Sequence, residues 1–153
     1  MKIKQILAKD AIISSLKATS KENVLVEMAS LLCRQIPDIS PEGITRILIE
    51  REKLGSTGIG NGVAIPHGKI SQLTQITTAF GRSLPGIPFD SQDSKPAHLF
   101  FVLLAPENAA SLHLKALARL SRLLKDVHFR NKLLEAKDEQ QLYQYIIEED
   151  EKS

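Results

Sequence analysis

One histidine stands out by its immediate neighbours. In Ile65-Pro66-His67-Gly68-Lys69 the imidazole lies between a residue that fixes φ and a residue without a side chain. Pro66 biases Ile65 towards extended backbone and so orients the histidine after it, while Gly68 removes bulk directly beyond His67. A neutral imidazole is a good nucleophile near pH 7, able to take a phosphoryl group on a free ring nitrogen and later release it. Such chemistry needs a hydrogen bond that fixes the ring tautomer, and cationic or amide donors for the phosphoryl oxygens. Arg51, Ser56, Thr57 and the amides of the glycine-rich run Gly55–Gly62 are candidate donors close in sequence. The residues alone leave two readings open. Either the glycines shape the backbone around a reactive imidazole, or this is a glycine-rich turn with an incidental histidine.

Other chemistries fit the same residues less well. A phosphate-binding P-loop needs G-x-x-x-x-G-K-[ST], but Gly68-Lys69 is followed by Ile70 and preceded by Val63 at the first glycine position. A dinucleotide fingerprint fails because Val63 stands where the third glycine after Gly58 and Gly60 is required. The remaining histidines are His98, His113 and His128; no pair has the i, i+4 spacing of a helical metal clamp, and Cys33 is the single cysteine. No metal site is therefore expected. His113, in Leu112-His113-Leu114, is a surface or capping residue if alone and a helper to His67 if the fold brings the two together. His98 and His128 read as structural.

These residues sit in a chain of ordinary globular make-up. The 153 residues suit one domain, 1–153, which can hide roughly 70% of its unfolded surface. Twenty Lys+Arg against 18 Asp+Glu give a net charge of +2, without the clustered basic field that a nucleic-acid binder needs. Met1–Leu16 lacks the pattern of a secretory signal, and the longest apolar run, Leu99–Ala105, is too short to span a bilayer. The cytoplasm is the expected compartment. The acidic tail at 148–153 is expected to fray.

The apolar periodicity predicts the elements that must position the site. A helix starts near Thr19, with Glu22 at capping-box spacing and Val24, Leu25, Met28, Leu31 and Leu32 on one face. Pro37 stops it, and Ser40-Pro41-Glu42 starts a second with Ile44, Ile47 and Leu48 inward. From Gly58, Ile59, Val63 and Ile65 read as one glycine-loosened strand. Thr77–Leu84 is a second strand, ending before Pro85-Gly86, and Leu99–Leu104 a third, buried on both faces. Helical spacing returns over Ala109–Lys125, Phe129–Glu135 and Glu139–Ile147. Lys115, Arg119 and Arg122 share a face there, with Arg130 beyond; this reads as a solvated face rather than a docking surface. The fold class is α/β, a sheet covered by helices on both sides.

The run from Arg51 to Gly68, REKLGSTGIGNGVAIPHG, resembles the phosphorylation-site segment of the IIA proteins of the bacterial phosphotransferase system. It is most similar to the nitrogen-regulatory type, related to fructose and mannitol IIA domains. Ile87-Pro88-Phe89-Asp90, Leu99–Pro106, His113-Leu114 with Leu117, and Leu142-Tyr143 extend the similarity over nearly the whole chain. The resemblance implies a single-domain mixed sheet flanked by helices on both faces. It implies that His67 accepts a phosphoryl group at Nε2, that His113 supports that group and that Arg51 is the basic residue of the site. Ser56 and Thr57 would lie on the site loop as phosphoryl contacts. The implied donor is an HPr-like phosphocarrier of the nitrogen branch, supplied from phosphoenolpyruvate through an Enzyme I, with no bound cofactor. The implied output is regulation of target proteins in nitrogen or potassium control. Handing phosphate to a separate sugar-specific IIB, or regulation by binding alone, are the alternatives. His98 departs from the family, which usually places an aspartate at the start of the buried strand.

Overall fold

The continuous apolar run becomes the centre of the sheet. In the computed structural model, which describes residues 1–152, strand β6 spans Ala97–Pro106, and every residue of it except His98 is buried. A strand so buried must be covered on both faces, so its sequence shows no alternation. On one side it pairs antiparallel with β5, Thr77–Ile87, which pairs in parallel with the edge strand β1, Leu7–Ile13. On its other side lie two short parallel strands in succession, β3 (Val63–Ala64) opposite Leu99-Phe100 and β4 (His67–Ile70) opposite Leu103–Pro106. The short strand β2, Gly58–Gly60, pairs with β3 and completes a mixed six-stranded sheet.

Five helices cover it. Helix α1 (Lys21–Cys33) packs on β5 and on α2 (Pro41–Glu52), which reaches β4. Helix α3 (Ala110–Leu124) packs on β6 and α4 (Val127–Glu135), and α5 (Glu139–Glu151) lies against α4 and β1. The inward residues expected of α1 are all buried, and so are Ile44 and Leu48 of α2 and Ala116, Leu120, Leu123 and Leu124 of α3. Among the described residues no helix is long and apolar enough to cross a membrane.

Several expectations are corrected. The cap of α1 is Ser20, whose hydroxyl accepts from the Asn23 amide, and not Thr19. Glu27, one turn further in than Glu22, instead accepts from the amides of Lys17 and Ala18 and ties down the preceding loop. The expected glycine-loosened strand is two short strands, β2 and β3, with a third, β4, directly after it. Asn61 and Gly62, both at positive φ, form a two-residue hairpin turn between β2 and β3. Pro66, which cannot donate to a ladder, separates β3 from β4. Strand β5 continues past Pro85-Gly86 to Ile87, with a register irregularity between Arg82 and Ile87 absorbing them.

Strand β1 has no counterpart in the elements expected from periodicity. Its register shifts between Leu7 and Ile12, which destroys the alternation by which a half-buried strand is recognised. Lys9 and Asp10 stay exposed there and discourage edge-to-edge pairing. The acidic tail is also corrected as far as Lys152, because residues 148–151 are the last turn of α5. Asp150 is buried, accepting from the Ile3 amide at 2.7 Å and from Arg119 Nε at 2.6 Å. A buried carboxylate with a backbone donor and a guanidinium holds that turn against the first residues of the chain.

Candidate functional site

Helix α2 brings Arg51 to the site in its last turn. Ser40 caps the helix by accepting from the Gly43 amide, with Pro41 at the first helical position, as expected from sequence. After Glu52 the chain turns through Gly55, at φ +146°, and enters β2. The Arg51 Nη1 group donates to the Gly55 carbonyl at 2.8 Å, which ties the guanidinium to the start of this loop. Its Nε–H then points at His67.

His67 opens β4, opposite Leu103 of β6. Its Nδ1 lies 2.8 Å from the Ile65 carbonyl, which can only accept, so Nδ1 carries the proton. Arg51 Nε, which can only donate, lies 3.2 Å from His67 Nε2, so Nε2 carries the lone pair. Both contacts require the same neutral tautomer. Gly68 is needed for the approach of α2, since a Cβ there would meet Ile47 Cγ2 at 2.4 Å.

The fold also brings His113 to His67, which sequence spacing left open. His113 lies in the first turn of α3, and the two ring centroids are 5.4 Å apart with planes at 79°, an edge-on contact. The His113 ring is buried and its Nε2 has no hydrogen-bond partner among the described residues. An orphaned buried ring nitrogen beside a nucleophile is costly unless something polar arrives to use it. Ala109, which precedes α3, supplies no side-chain cap to the amides of that first turn.

Both imidazoles are held neutral. Burial pushes the His113 pKa down to about 4, helped by the nearby positive forms of His67 and Lys69. Burial also lowers that of His67; the Ile65 carbonyl opposes this, Arg51 adds to it, and Glu52 opposes it again. A neutral ring, one defined lone pair, a guanidinium and an unpartnered second imidazole together suit nucleophilic attack on an electrophile whose oxygens need donors. Leu54, Leu112 and Leu114, which are near Arg51 and His113 in sequence, are 84%, 41% and 68% exposed.

Ser56 and Thr57 sit on the site loop, but their hydroxyls donate within the protein and not towards His67. Ser56 Oγ donates to the Phe89 carbonyl at 2.7 Å and accepts from the Gly58 amide. Thr57 is buried and donates from Oγ1 and from its amide to the carboxylate of Glu52. In the free protein both hydroxyls are thus committed to the loop's own architecture. Sequence reasoning passes over Glu52, which is buried and also pairs with Lys21 Nζ at 2.9 Å. Its one sequence signal is a carboxylate next to Arg51, where a solvated helix end would be expected.

The other histidines stay apart from the site. His98 Nδ1 meets the Ser83 carbonyl at 3.0 Å, at the end of β6 away from Leu103, where it backs the β5 irregularity. His128 is exposed on α4. Of the expected cationic face, Arg119 pairs with Asp150, and Arg130 donates to the carbonyls of Leu124 and Lys125 that end α3. Among the described residues no three His, Cys, Asp or Glu side chains are grouped to share a metal ion.

Comparison with known proteins shows the family of the chain. A nitrogen regulatory protein of Bradyrhizobium diazoefficiens is 42% identical over 146 residues, 95% of each chain. The fructose-specific EIIABC component of Bacillus subtilis is 39% identical over 150 residues, 98% of this chain and 24% of that one. The crystal structure of the nitrogen regulatory protein IIA-Ntr from Neisseria meningitidis superimposes with a TM-score of 0.88 at 36% identity, over 94% of this chain and 98% of that one. Mannitol IIA from Escherichia coli, at 21% identity and a TM-score of 0.77 over 91% and 97% of the two chains, shares the fold. Residues 5–149, which include both imidazoles, Arg51 and the loop between them, match the family described as phosphoenolpyruvate-dependent sugar phosphotransferase system, EIIA 2, and the chain belongs to that family.

Proposed function

We propose that this chain is a phosphocarrier of the nitrogen branch of the phosphotransferase system, which takes a phosphoryl group on His67 and regulates target proteins by its phosphorylation state. The observation that carries the reading is the single tautomer of His67, with Nδ1–H on the Ile65 carbonyl and the Nε2 lone pair held towards Arg51. The nitrogen regulatory relatives, similar over nearly their whole length, support the regulatory branch.

In the transfer, the Nε2 lone pair attacks the phosphorus of a phosphohistidine on an HPr-like donor, which Enzyme I has loaded from phosphoenolpyruvate. The Nε2–P bond forms as the donor's N–P bond breaks in line, and that bonding pair returns to the donor nitrogen. No proton leaves His67. The positive charge that develops on its ring is stabilised through Nδ1–H by the Ile65 carbonyl. Arg51 turns its Nε–H from Nε2 to a phosphoryl oxygen, and the unpartnered His113 Nε2, as its N–H tautomer, donates to another. The exposed leucines let a partner surface exclude water from the reacting atoms. The added group carries about −1.5 to −2 charges, enough nearly to cancel the +2 of the free chain and change which surfaces it attracts.

The test is donor selectivity. The purified chain is incubated with phosphoenolpyruvate, Enzyme I and either a nitrogen-branch or a sugar-branch HPr-like carrier, and intact mass is followed with time. Faster gain of one phosphoryl group from the nitrogen-branch carrier is expected, abolished in His67→Ala. Equal rates, followed by transfer to a fructose-type IIB, favour the second reading, a sugar-pathway IIA component; the fructose EIIABC relative is the observation behind it. Regulation by binding alone predicts no mass gain from either carrier.

A further inference from the structure

The buried carboxylate at the end of α2 makes no contact with the reacting atoms, yet an unbroken run of hydrogen bonds connects it to them. Glu52 accepts from the amide and hydroxyl of Thr57. The Thr57 carbonyl accepts from the Ile65 amide at 3.0 Å. The Ile65 carbonyl accepts from His67 Nδ1 at 2.8 Å. Within this loop lies Gly55, whose carbonyl holds Arg51 Nη1. Thus one carboxylate anchors the segment that orients both the nucleophile and its guanidinium partner.

The surroundings of Glu52 are built to keep it there. Lys21 Nζ, from the start of α1, reaches Glu52 Oε1 at 2.9 Å, extends to Asp90 at 3.5 Å and lies 4.9 Å over the Phe89 ring. The Phe89 carbonyl in turn receives the Ser56 hydroxyl from the same loop. The loop is therefore held at both of its polar side chains, from α2 on one side and from the 88–91 turn on the other. A glycine-rich segment without such ties would sample many backbone states, and the Ile65 carbonyl with them.

We propose that Glu52 is a positioning residue for phosphoryl transfer: through Thr57 and Ile65 it holds the Nδ1–H tautomer of His67 and leaves the lone pair on Nε2. This rests on the assignment of His67 as the acceptor, but its physical content, the tautomer, is measurable without any donor. In Glu52→Met a side chain of similar length and no acceptor replaces the carboxylate, so the amide and hydroxyl of Thr57 lose their anchor. Glu52→Gln keeps a carbonyl oxygen for Thr57 and gives up the pairing with Lys21.

The experiment is long-range nitrogen–proton correlation NMR on the free, full-length protein with labelled histidine, alongside phosphorylation rates. Wild type is expected to show His67 almost wholly as the Nδ1–H form. In folded Glu52→Met the Nε2–H form becomes comparable in population, and the transfer rate drops about ten- to a hundredfold. Glu52→Gln restores most of the wild-type ratio and rate. If Glu52→Met loses its fold by circular dichroism, Thr57→Val is read instead and shows a smaller shift in the same direction. An unchanged His67 tautomer in folded Glu52→Met, or in Thr57→Val where that variant is read instead, overturns the proposal, whatever happens to the rate. A wild-type chain that takes no phosphoryl group while the tautomer responds as stated refutes the function and leaves the positioning intact.

Discussion

Gly68→Ala tests how closely α2 must approach the acceptor histidine. The backbone at Gly68 is not in the left-handed region, so alanine brings no conformational penalty and only its Cβ matters. That atom would lie 2.4 Å from Ile47 Cγ2 and 3.7 Å from Leu104 Cδ2. Ordinary carbon contacts lie at about 3.5–4.0 Å, so the Ile47 contact is more than ~1 Å too short. A β-branched side chain in a helix has little freedom to rotate away, and α2 itself must move. Arg51 is one turn further along the same face as Ile47, and its Nε lies 3.2 Å from His67 Nε2. A displacement of this size breaks that bond. The expected cost of overpacking is about 1–3 kcal/mol in urea unfolding, with phosphorylation of the folded protein slowed by up to about a hundredfold. Ile47→Ala in the same chain removes the clashing methyl and should return about 1–2 kcal/mol relative to the sum of the single changes. A double mutant whose stability equals that sum to within about 0.5 kcal/mol would refute the steric reasoning.

Acid should weaken the fold through the two imidazoles. Both have pKa values in the fold below the ordinary 6.5, His113 at about 4, so the unfolded chain binds their protons first. The stability that their neutral forms contribute is complete above pH 6.5 and is lost as pH falls through that window to about 4 for His113. The urea midpoint is expected to decline there, and His113→Gln to flatten the decline; an identical slope in the variant would count against it. Phosphoryl acceptance should fall with acid at a lower pH than for an ordinary imidazole, because burial lowers the His67 pKa and keeps the Nε2 lone pair free; a fall that begins above the ordinary range would count against it. Asp150→Ala should cost about 3 kcal/mol, since it leaves the Ile3 amide and partly buried Arg119 without their shared acceptor. Thermal melting reads that loss, and the transfer rate of the folded variant at low temperature should match wild type.

The parts legible in the sequence were those fixed by local chemistry. Ser40-Pro41-Glu42 starts a helix wherever it stands, and the run Leu99–Leu104 cannot be satisfied outside a sheet centre. The His67 segment was legible because Pro66 and Gly68 constrain backbone and bulk in opposite ways around one imidazole. What escaped depended on distant partners. Strand β1 lost its alternation to a register shift that only pairing with β5 creates. Asn61-Gly62 is a hairpin dipeptide, but its flanks, Gly58-Ile59-Gly60 and Val63-Ala64, are too short and glycine-loosened to read as two alternating strands, so the turn is hidden within one loose strand. The tail looked solvated because no local feature announces that Asp150 meets Ile3 and Arg119. In the site, Arg51 and His67 are sixteen residues apart in one segment, whereas the contact with His113 is made by docking α3 on β6. That Ser56 and Thr57 lie on the site loop is legible, but the Phe89 carbonyl and the Glu52 carboxylate that engage their hydroxyls cannot be inferred from spacing.

The central claim is that Nε2 of His67 is the atom that receives phosphorus. Phosphorus and nitrogen NMR of the chain, labelled at histidine and phosphorylated by an HPr-like carrier, measures it most directly through the nitrogen–phosphorus coupling. One phosphoryl group on Nε2 of His67, with His113 unmodified and Arg51→Ala slowing its formation, is the predicted result. Phosphorus on Nδ1, on His113 or on any other residue would contradict it.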